Sequence, residues 1–330
     1  MSKIRWAILG TGAIANRFAQ SMQVVEDAQL AAVVSRTEER AQAFAAQYGG
    51  EAVYTDYGAM LAEIKPDAVY IATPNDLHYD AIMQALDAGV NVLCEKPMVD
   101  TVWQLNAAYA KAAERGLFVM EAMWTRCFPA VRKVREWIAS GRIGEPLTVN
   151  VSFNFKSGEG WQSWKTGLAH AGGALRDIGI YSIAVANMVF PGTPRQMAST
   201  MHSNGEVDDA FHIFLDYGDG RTAFAGGAFN QMADTTARIS GSEGTIAFGP
   251  EFWRPTEAIL QRYDGQTERI DVPFASEGFQ YEIEAVHDAL RTGRIECPDF
   301  THEESRVIAQ IIESARKAQG IYYAADGAGE

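Results

Sequence analysis

The chain has 330 residues, a length that favours two domains over one, and 47% of the residues are hydrophobic while 21% are charged. The formal net charge of −14 argues against a general binder of nucleic acid or of anionic membranes, because both ligands are negatively charged. The three cysteines are an odd number, unlike a disulfide framework, and they do not have the spacing of metal ligands, which fits a reducing compartment. The N-terminus shows no signal-peptide pattern, and no apolar run approaches the roughly 20 residues that span a bilayer. A cytoplasmic protein is expected.

Residues 1–120 alternate short apolar runs with amphipathic helical patterns. Strands are predicted at 5–9, 30–35, 52–54, 68–72, 91–94 and 117–120, with helices near 13–24, 37–47, 56–64, 77–88 and 100–115. Alternation of this kind predicts βαβ units and a parallel sheet.

A glycine-rich turn separates the first predicted strand from the first predicted helix. Glycines there permit a tight turn and a close approach to a pyrophosphate, while the helix N-terminus supplies amides and partial positive charge. This context predicts a Rossmann dinucleotide-binding domain of the α/β class. The residues predicted to contact the cofactor are Gly10, Thr11, Gly12, Ala13 and Ile14.

The second predicted strand ends in Ser35 and Arg36, at the point where a carboxylate would accept bonds from an adenosine ribose. A hydroxyl and a guanidinium suit a 2′-phosphate instead. NADP is therefore the predicted cofactor, with NAD as the alternative. An ordinary surface position remains the alternative interpretation of Arg36.

Polar residues follow the fourth predicted strand, whose carboxyl end faces the cofactor crevice of such a sheet. Thr73, Pro74 and Asn75 are predicted to contact the nicotinamide half, and His78 the edge of the site. Taken alone, His78 is better explained by a structural hydrogen bond at a helix N-terminus.

Glu95 and Lys96 end the fifth predicted strand, directly before Pro97, and both are predicted to lie at the cofactor. An ammonium at Lys96 can hydrogen-bond a substrate oxygen and stabilise its developing negative charge. In isolation, a solvated lysine before a proline is the simpler interpretation.

The second half of the chain changes pattern after residue 146. Alternating runs at 147–155, 207–217, 221–230, 235–240 and 258–263 predict a large, mostly antiparallel open sheet in an α+β domain. The expected domains are 1–120 for dinucleotide binding and 121–330 for substrate binding and oligomerisation. A capping box predicts a helix near 302–319 that packs back on the first domain, and residues 326–330 are expected to fray.

Three features together resemble the glucose–fructose oxidoreductase and inositol dehydrogenase (Gfo/Idh/MocA) family. They are the glycine turn, Glu95-Lys96-Pro97 and the run from Gly172 to Tyr181. Within that family, residues 121–126 and 177–181 look most like the dimeric dihydrodiol dehydrogenases and NADP-dependent D-xylose dehydrogenases, which carry tyrosine where many members have histidine. The resemblance implies NADP-dependent oxidation of a hydroxyl on a small cyclic polyol, either an aldopyranose such as D-xylose or a trans-dihydrodiol. An NADPH-dependent reductase of 1,5-anhydrofructose-like keto-sugars and a non-catalytic NADP-binding sensor remain alternatives.

The resemblance also implies roles for individual residues. Lys96 would hold the reacting oxygen, Tyr181 would be the general acid/base, and Asp177 would orient the substrate or the lysine. Asp177 and Tyr181 lie four apart and share one face of a helix. A phenol titrates near about 10, and the ammonium with the oxidised nicotinamide would favour its phenolate. A helix N-terminal acid and a half-buried tyrosine are the alternative.

Aromatic side chains are expected to wall the substrate pocket, because sugars and dihydrodiols present apolar ring faces. The candidates are Trp124, Phe153, Trp253 and Phe279, with Trp161 and Trp164 in a neighbouring loop. No metal is predicted, because the cofactor carries the hydride chemistry.

Two predicted strands, at 211–215 and 222–229, carry apolar residues on both faces. Helices in a two-layer domain cover only one face of such a sheet, so the other face is expected to pair with a second subunit. The resemblance likewise implies a homodimer or higher homo-oligomer through this sheet.

Overall fold

The computed structural model describes residues 2–158 and 165–327, and its contacts divide the chain into two compact units. The first unit is Met1–Cys127 with Phe274–His302, and the second is Phe128–Pro273 with Glu303–Glu330. Among the described residues, no helix combines the length and the apolar character needed to cross a membrane.

The first unit is built on a parallel six-stranded sheet in the order β3-β2-β1-β4-β5-β6. Its first eleven elements are β1 (Ile4–Leu9), α1 (Ala13–Met22), β2 (Ala28–Val34), α2 (Glu38–Tyr48), β3 (Ala52–Tyr54), α3 (Tyr57–Ile64), β4 (Ala68–Ile71), α4 (His78–Asp87), β5 (Asn91–Glu95), α5 (Val102–Arg115) and β6 (Val119–Ala122). The predicted Rossmann class is confirmed. The chain reverses its winding between β1 and β4, the place where open α/β sheets bind ligands.

The second unit is built on an eight-stranded sheet in the order β14-β13-β12-β11-β7-β10-β9-β8. Every pair is antiparallel except β7 and β10, which confirms the mostly antiparallel class. The remaining elements are α6 (Pro129–Ala139), β7 (Pro146–Asn154), α7 (Ile180–Val189), β8 (Gln196–Ser203), β9 (Asp208–Gly218), β10 (Arg221–Ala228), β11 (Thr236–Gly241), β12 (Gly244–Phe248), β13 (Glu257–Arg262), β14 (Thr267–Asp271), α8 (Gln280–Arg291) and α9 (His302–Ala318). Helices α6 and α7 pack on this sheet.

The division into units differs from the predicted boundary after residue 120, because α8 returns to the first unit. The indole N–H of Trp6 in β1 donates to Nε2 of His287 in α8 at 2.9 Å. Phe279, just before α8, lies edge-on to Phe18 in α1 at 6.2 Å. These partners are more than 250 residues apart in sequence, so no local pattern signals them.

Helix α9 begins at His302, close to the predicted position, but from Glu303 onward it is grouped with the second unit. Residue Asp326, which was expected to fray, is instead held by both a guanidinium and a backbone amide. The tail is therefore ordered by specific contacts as far as that residue.

Candidate functional site

The glycine turn between β1 and α1 is shaped by two different constraints. Gly10 has φ +106, and a Cβ there would lie 2.5 Å from the carbonyl oxygen of Ala72. A Cβ on Gly12 would meet nothing within 4 Å, so the space at the start of α1 is open. Ala13 and Ile14 begin the helix, where backbone N–H groups have no intrahelical acceptor. The open space beside these amides fits a pyrophosphate.

Ser35, at the end of β2, is buried and its hydroxyl lies 3.0 Å from that of Thr11 in the glycine turn. Arg36 follows and is exposed. The structure thus brings two of the predicted cofactor residues together. A hydroxyl and an exposed guanidinium at this position offer donors to a phosphate.

Thr73 follows β4 and carries a buried hydroxyl that has no hydrogen-bond partner among the described residues. Unpaired buried hydroxyls are uncommon, and a ligand is one way to satisfy them. The ring of His78 is buried, with Nε2 2.9 Å from the carbonyl oxygen of Thr73 and Nδ1 3.1 Å from that of Pro97. His78 therefore ties the Thr73 segment to the turn after Lys96. Pro74 and Asn75 form the start of the short 3₁₀ turn between them.

Glu95 ends β5 in the interior, where it accepts a hydrogen bond from the hydroxyl of Tyr70. Burial and the neighbouring Glu95 carboxylate raise the pKa of Tyr70 well above its usual value, so the phenol keeps its proton and remains the donor. Lys96 follows at the carboxyl edge of the sheet and is half-buried. The contact of Glu95 with a cofactor remains a prediction.

Trp124 and Phe279 form one aromatic wall in the first unit, stacked with their ring centroids 4.3 Å apart. The guanidinium carbon of Arg17 lies 5.3 Å from the Trp124 centroid and 5.4 Å from that of Phe279. Nε of Arg17 donates to Glu277 at 2.9 Å. Sequence reasoning missed Arg17, whose only signal is a cation in the second turn of the predicted cofactor helix.

Asp177 and Tyr181 lie on one continuous helical segment of the second unit. Asp177 is in a π-helical turn, Leu175–Gly179, and Tyr181 is in the first turn of α7. Nζ of Lys165 donates to a carboxylate oxygen of Asp177 at 2.8 Å. Sequence reasoning missed Lys165, because a loop lysine carries no periodic signal. Wide π turns of this kind are frequent at functional sites.

Asp208 holds the start of this π turn. One carboxylate oxygen accepts from the backbone N–H of Leu175 at 2.6 Å. Burial raises the pKa of Asp208 to about 7, although hydrogen bonds from backbone amides act in the opposite direction. The π turn is therefore anchored by a buried carboxyl that titrates near neutral pH.

A second aromatic wall lies in the second unit around Phe153 in β7. Trp253 stacks on it at 4.3 Å, Phe252 meets it edge-on at 5.6 Å, and the Tyr181 ring lies 6.1 Å away. Phe153 and Tyr181 are buried, while Trp253 is partly exposed. Trp161 and Trp164 lie outside the described residues.

The fold also brings together Cys127, Cys297 and Asp299, whose potential ligand atoms all lie within 4.8 Å of one another. A separation of 170 residues (297 − 127) hides this proximity from any spacing pattern, and the absence of a bound metal stays a prediction. A hydrogen bond from Cys127 lowers the pKa of Cys297, and backbone amides of Asp299 and Phe300 add to that effect. The same thiol pairing and burial raise the pKa of Cys127.

Comparison with known proteins gives matches along most of the chain. A family model described as an oxidoreductase family with an NAD-binding Rossmann fold matches residues 4–123, and a GFO/IDH/MocA C-terminal domain matches residues 131–247. The trans-1,2-dihydrobenzene-1,2-diol dehydrogenase of Oryctolagus cuniculus is 32% identical, covering 97% of this chain and 99% of the relative. The scyllo-inositol 2-dehydrogenase (NADP(+)) IolU of Bacillus subtilis is 33% identical, covering 98% and 100%. The solved aldose–aldose oxidoreductase of Caulobacter crescentus superimposes with a TM-score of 0.86 at 27% identity, covering 96% and 97%.

Proposed function

The chain belongs to the GFO/IDH/MocA oxidoreductase family, and on that premise we propose that it is an NADP-dependent dehydrogenase of small cyclic polyols. Membership makes it an oxidoreductase that acts on CH–OH groups of sugars or polyols. The finer proposal is that it oxidises a ring hydroxyl of an aldopyranose such as D-xylose, or of a trans-dihydrodiol.

The observation that carries the proposal is the succession of three loops at the carboxyl edge of the parallel sheet. Strands β1, β4 and β5 are neighbours, and they end in the glycine turn, the Thr73 segment and Lys96 respectively. The open space over Gly12 and the unsatisfied Thr73 hydroxyl fit a dinucleotide that lies along this edge. Lys96 then lies at the end of this edge where the nicotinamide half of the dinucleotide is expected.

Ser35 and Arg36 support NADP over NAD, because no carboxylate ends β2 to repel a 2′-phosphate. The Bacillus subtilis relative is named as NADP(+)-dependent. Thr11 and Ser35, held together at 3.0 Å, link the pyrophosphate turn to the adenosine-ribose end.

A nicotinamide cofactor held at this edge would supply the acceptor for a hydride from the substrate carbon. Lys96 donates a hydrogen bond to the reacting oxygen and stabilises the negative charge that develops on it. Tyr181 takes the hydroxyl proton, and Asp177, held by Lys165, orients the substrate. In the second unit, Phe153 with Trp253 offers an apolar face for the ring near Tyr181.

The test is NADP reduction measured with D-xylose, D-glucose, L-arabinose, an inositol and a trans-dihydrodiol, with NAD in parallel and keto-sugars with NADPH in reverse. We expect Lys96→Ala and Tyr181→Phe to lower kcat on the best substrate by about 100-fold or more. Exposed Tyr263→Phe is the matched control and should leave kcat unchanged. Unchanged turnover in both site variants contradicts the assigned roles, and faster keto-sugar reduction favours a reductase.

We also propose that a second copy of the chain covers the outer face of the eight-stranded sheet. That face has a shallow hollow lined by residues such as Ser152, Ala198, Thr200, His212, Phe214 and Phe224. The hollow has no Asp, Glu, Lys or Arg among its described lining residues, so two copies with a net charge of −14 can approach there with little local repulsion. Phe224 is 48% exposed and packs on Phe214 at 5.0 Å.

A further inference from the structure

The C-terminal segment after α9 is fastened by a buried guanidinium. Arg316, in the last turn of α9, donates to both carboxylate oxygens of Asp326 at 2.6 Å and to the carbonyl oxygen of Ile321 at 3.1 Å. Its side chain is 2% exposed and that of Asp326 is 8% exposed. A bidentate pair with so little water around it fixes the path of the chain between the two residues.

Tyr323 lies within this segment, close to two cations. Its ring centroid is 4.2 Å from the guanidinium carbon of Arg316 and 5.1 Å from that of Arg176. The side chain packs with Ile321 and Ala171, and its hydroxyl donates to the carbonyl oxygen of Gly172 at 2.8 Å. The ring is thus restrained by the two guanidinium groups and by the hydroxyl bond.

Gly172 and Gly173 in turn hold both members of the ion pair assigned to the substrate site. The N–H of Gly173 donates to the carbonyl oxygen of Lys165 at 2.8 Å, and its carbonyl accepts from the N–H of Asp177 at 3.0 Å. A Cβ on Gly172 would lie 2.3 Å from the carbonyl oxygen of Lys165, so the two backbones are in close contact. Any shift of this glycine turn moves the backbones of Lys165 and Asp177.

We propose that the C-terminal segment is a positioning element of the active site, in which Tyr323 fixes the glycine turn and thereby the Lys165–Asp177 pair. The assignment of Asp177 to the substrate rests on the proposed function, whereas the path from Tyr323 to the pair does not. Tyr323 is a positioning residue that acts through Gly172. Small misplacements of an orienting group are costly, because the reacting atoms must approach in a narrow range of geometries.

The first test replaces Tyr323 by Phe, which keeps the ring beside the two guanidinium groups and removes the hydroxyl that bonds to Gly172. We expect kcat on the best polyol to fall about five-fold, the equivalent of one neutral hydrogen bond, with the Kd for NADP unchanged. Asp326→Asn, which loosens the Arg316 pair, should lower kcat at least as much. Tyr322→Phe is the matched control, because Tyr322 is the adjacent residue and is exposed, and its kcat should equal that of the unaltered protein.

The second test measures how accessible Lys165 is and needs no enzymatic turnover. The protein is treated with an N-hydroxysuccinimide ester, and the rate of Lys165 acylation is followed by peptide mass spectrometry. Tyr323→Phe and Asp326→Asn should raise that rate several-fold, because a lysine released from its carboxylate partner is more available. Lys111, paired with Asp87 in the first unit, should react at the same rate in every variant. All rates are measured at a temperature where circular dichroism shows each variant fully folded.

The two tests separate the positioning proposal from the proposed function. Faster acylation of Lys165 in a protein that oxidises no polyol supports the positioning path and contradicts the dehydrogenase assignment. An active enzyme whose Tyr323→Phe variant matches the unaltered protein in both kcat and Lys165 acylation overturns the positioning proposal.

Discussion

Gly10 and Gly12 lie two residues apart in one turn, yet substitution of Gly10 should lower the stability of the fold, whereas substitution of Gly12 should weaken cofactor binding. Gly10→Ala places a methyl group 2.5 Å from a backbone oxygen at a positive φ, so we expect a loss of about 1–3 kcal/mol in the free energy of unfolding. Gly12→Ala meets nothing within 4 Å and has φ −77, so stability should change by less than about 0.5 kcal/mol.

The added methyl group of Gly12→Ala would instead occupy the space assigned to the pyrophosphate. We expect the Kd for NADP to rise at least about tenfold, because the pyrophosphate would lose a close contact with the backbone amides. Urea unfolding and fluorescence titration with NADP measure the two effects separately. A Gly12→Ala protein with normal NADP affinity would place the pyrophosphate elsewhere.

Asp208 makes stability depend on pH through a single buried carboxyl. Burial raises its pKa in the folded protein to about 7 from an ordinary value of 3.8. The folded state therefore holds a proton that the unfolded chain has lost over this range, and the contribution of Asp208 to stability falls as pH rises from about 4 to about 7. The loss from this one group is on the order of 4 kcal/mol.

The measurement compares the free energy of unfolding at pH 5 and pH 8 in the natural protein and in Asp208→Asn. The asparagine carries no titrating proton and keeps an acceptor for the N–H of Leu175, so its stability should change less between the two pH values. Equal pH dependence in the two proteins would show that Asp208 ionises in the folded state as readily as in the unfolded chain.

At the scale of elements, local patterns predicted the parallel half of the fold well. All six strands of the first sheet and the helices between them were found within about two residues, because buried parallel strands are continuous apolar runs bounded by turns. The strands missed in the second sheet include both of its edges, β8 and β14. They are polar and largely solvated, so hydrophobic periodicity hardly marks them.

The candidate site was marked in the sequence only where its elements were marked. Thr73 and Lys96 follow strand ends that the sequence marks clearly, and Asp177 and Tyr181 stand in a motif. Lys165, Arg17 and Asp208 act through partners on other elements, and such pairings depend on tertiary packing that no local spacing encodes. The π turn at Asp177 was likewise not predicted, because it is an irregularity within a helical pattern.

Arg17 connects the cofactor helix α1 with the aromatic wall of Trp124 and Phe279. Replacing it by Met removes the cation over both rings and the bond to Glu277. The aromatic wall then loses a cation–π interaction of about 1 kcal/mol. We expect the KM for the best polyol to rise about five-fold while the Kd for NADP stays constant. Arg115→Met, which removes a surface pair with Asp87, is the control, and equal KM values in the two variants would exclude this role.

At the scale of the whole molecule, the proposed interface between copies is the outer face of the eight-stranded sheet. Phe224→Glu places a carboxylate on each copy within an uncharged hollow, and both charges would lose water on association. We expect the natural protein to sediment as a dimer or higher oligomer and the variant as a monomer of 36.1 kDa. Trp103→Glu is the matched control, because Trp103 is similarly exposed but lies on α5 of the first unit, and it should leave assembly unchanged. If the natural protein sediments at the monomer mass over the micromolar concentration range, the proposal that a second copy covers this face is wrong.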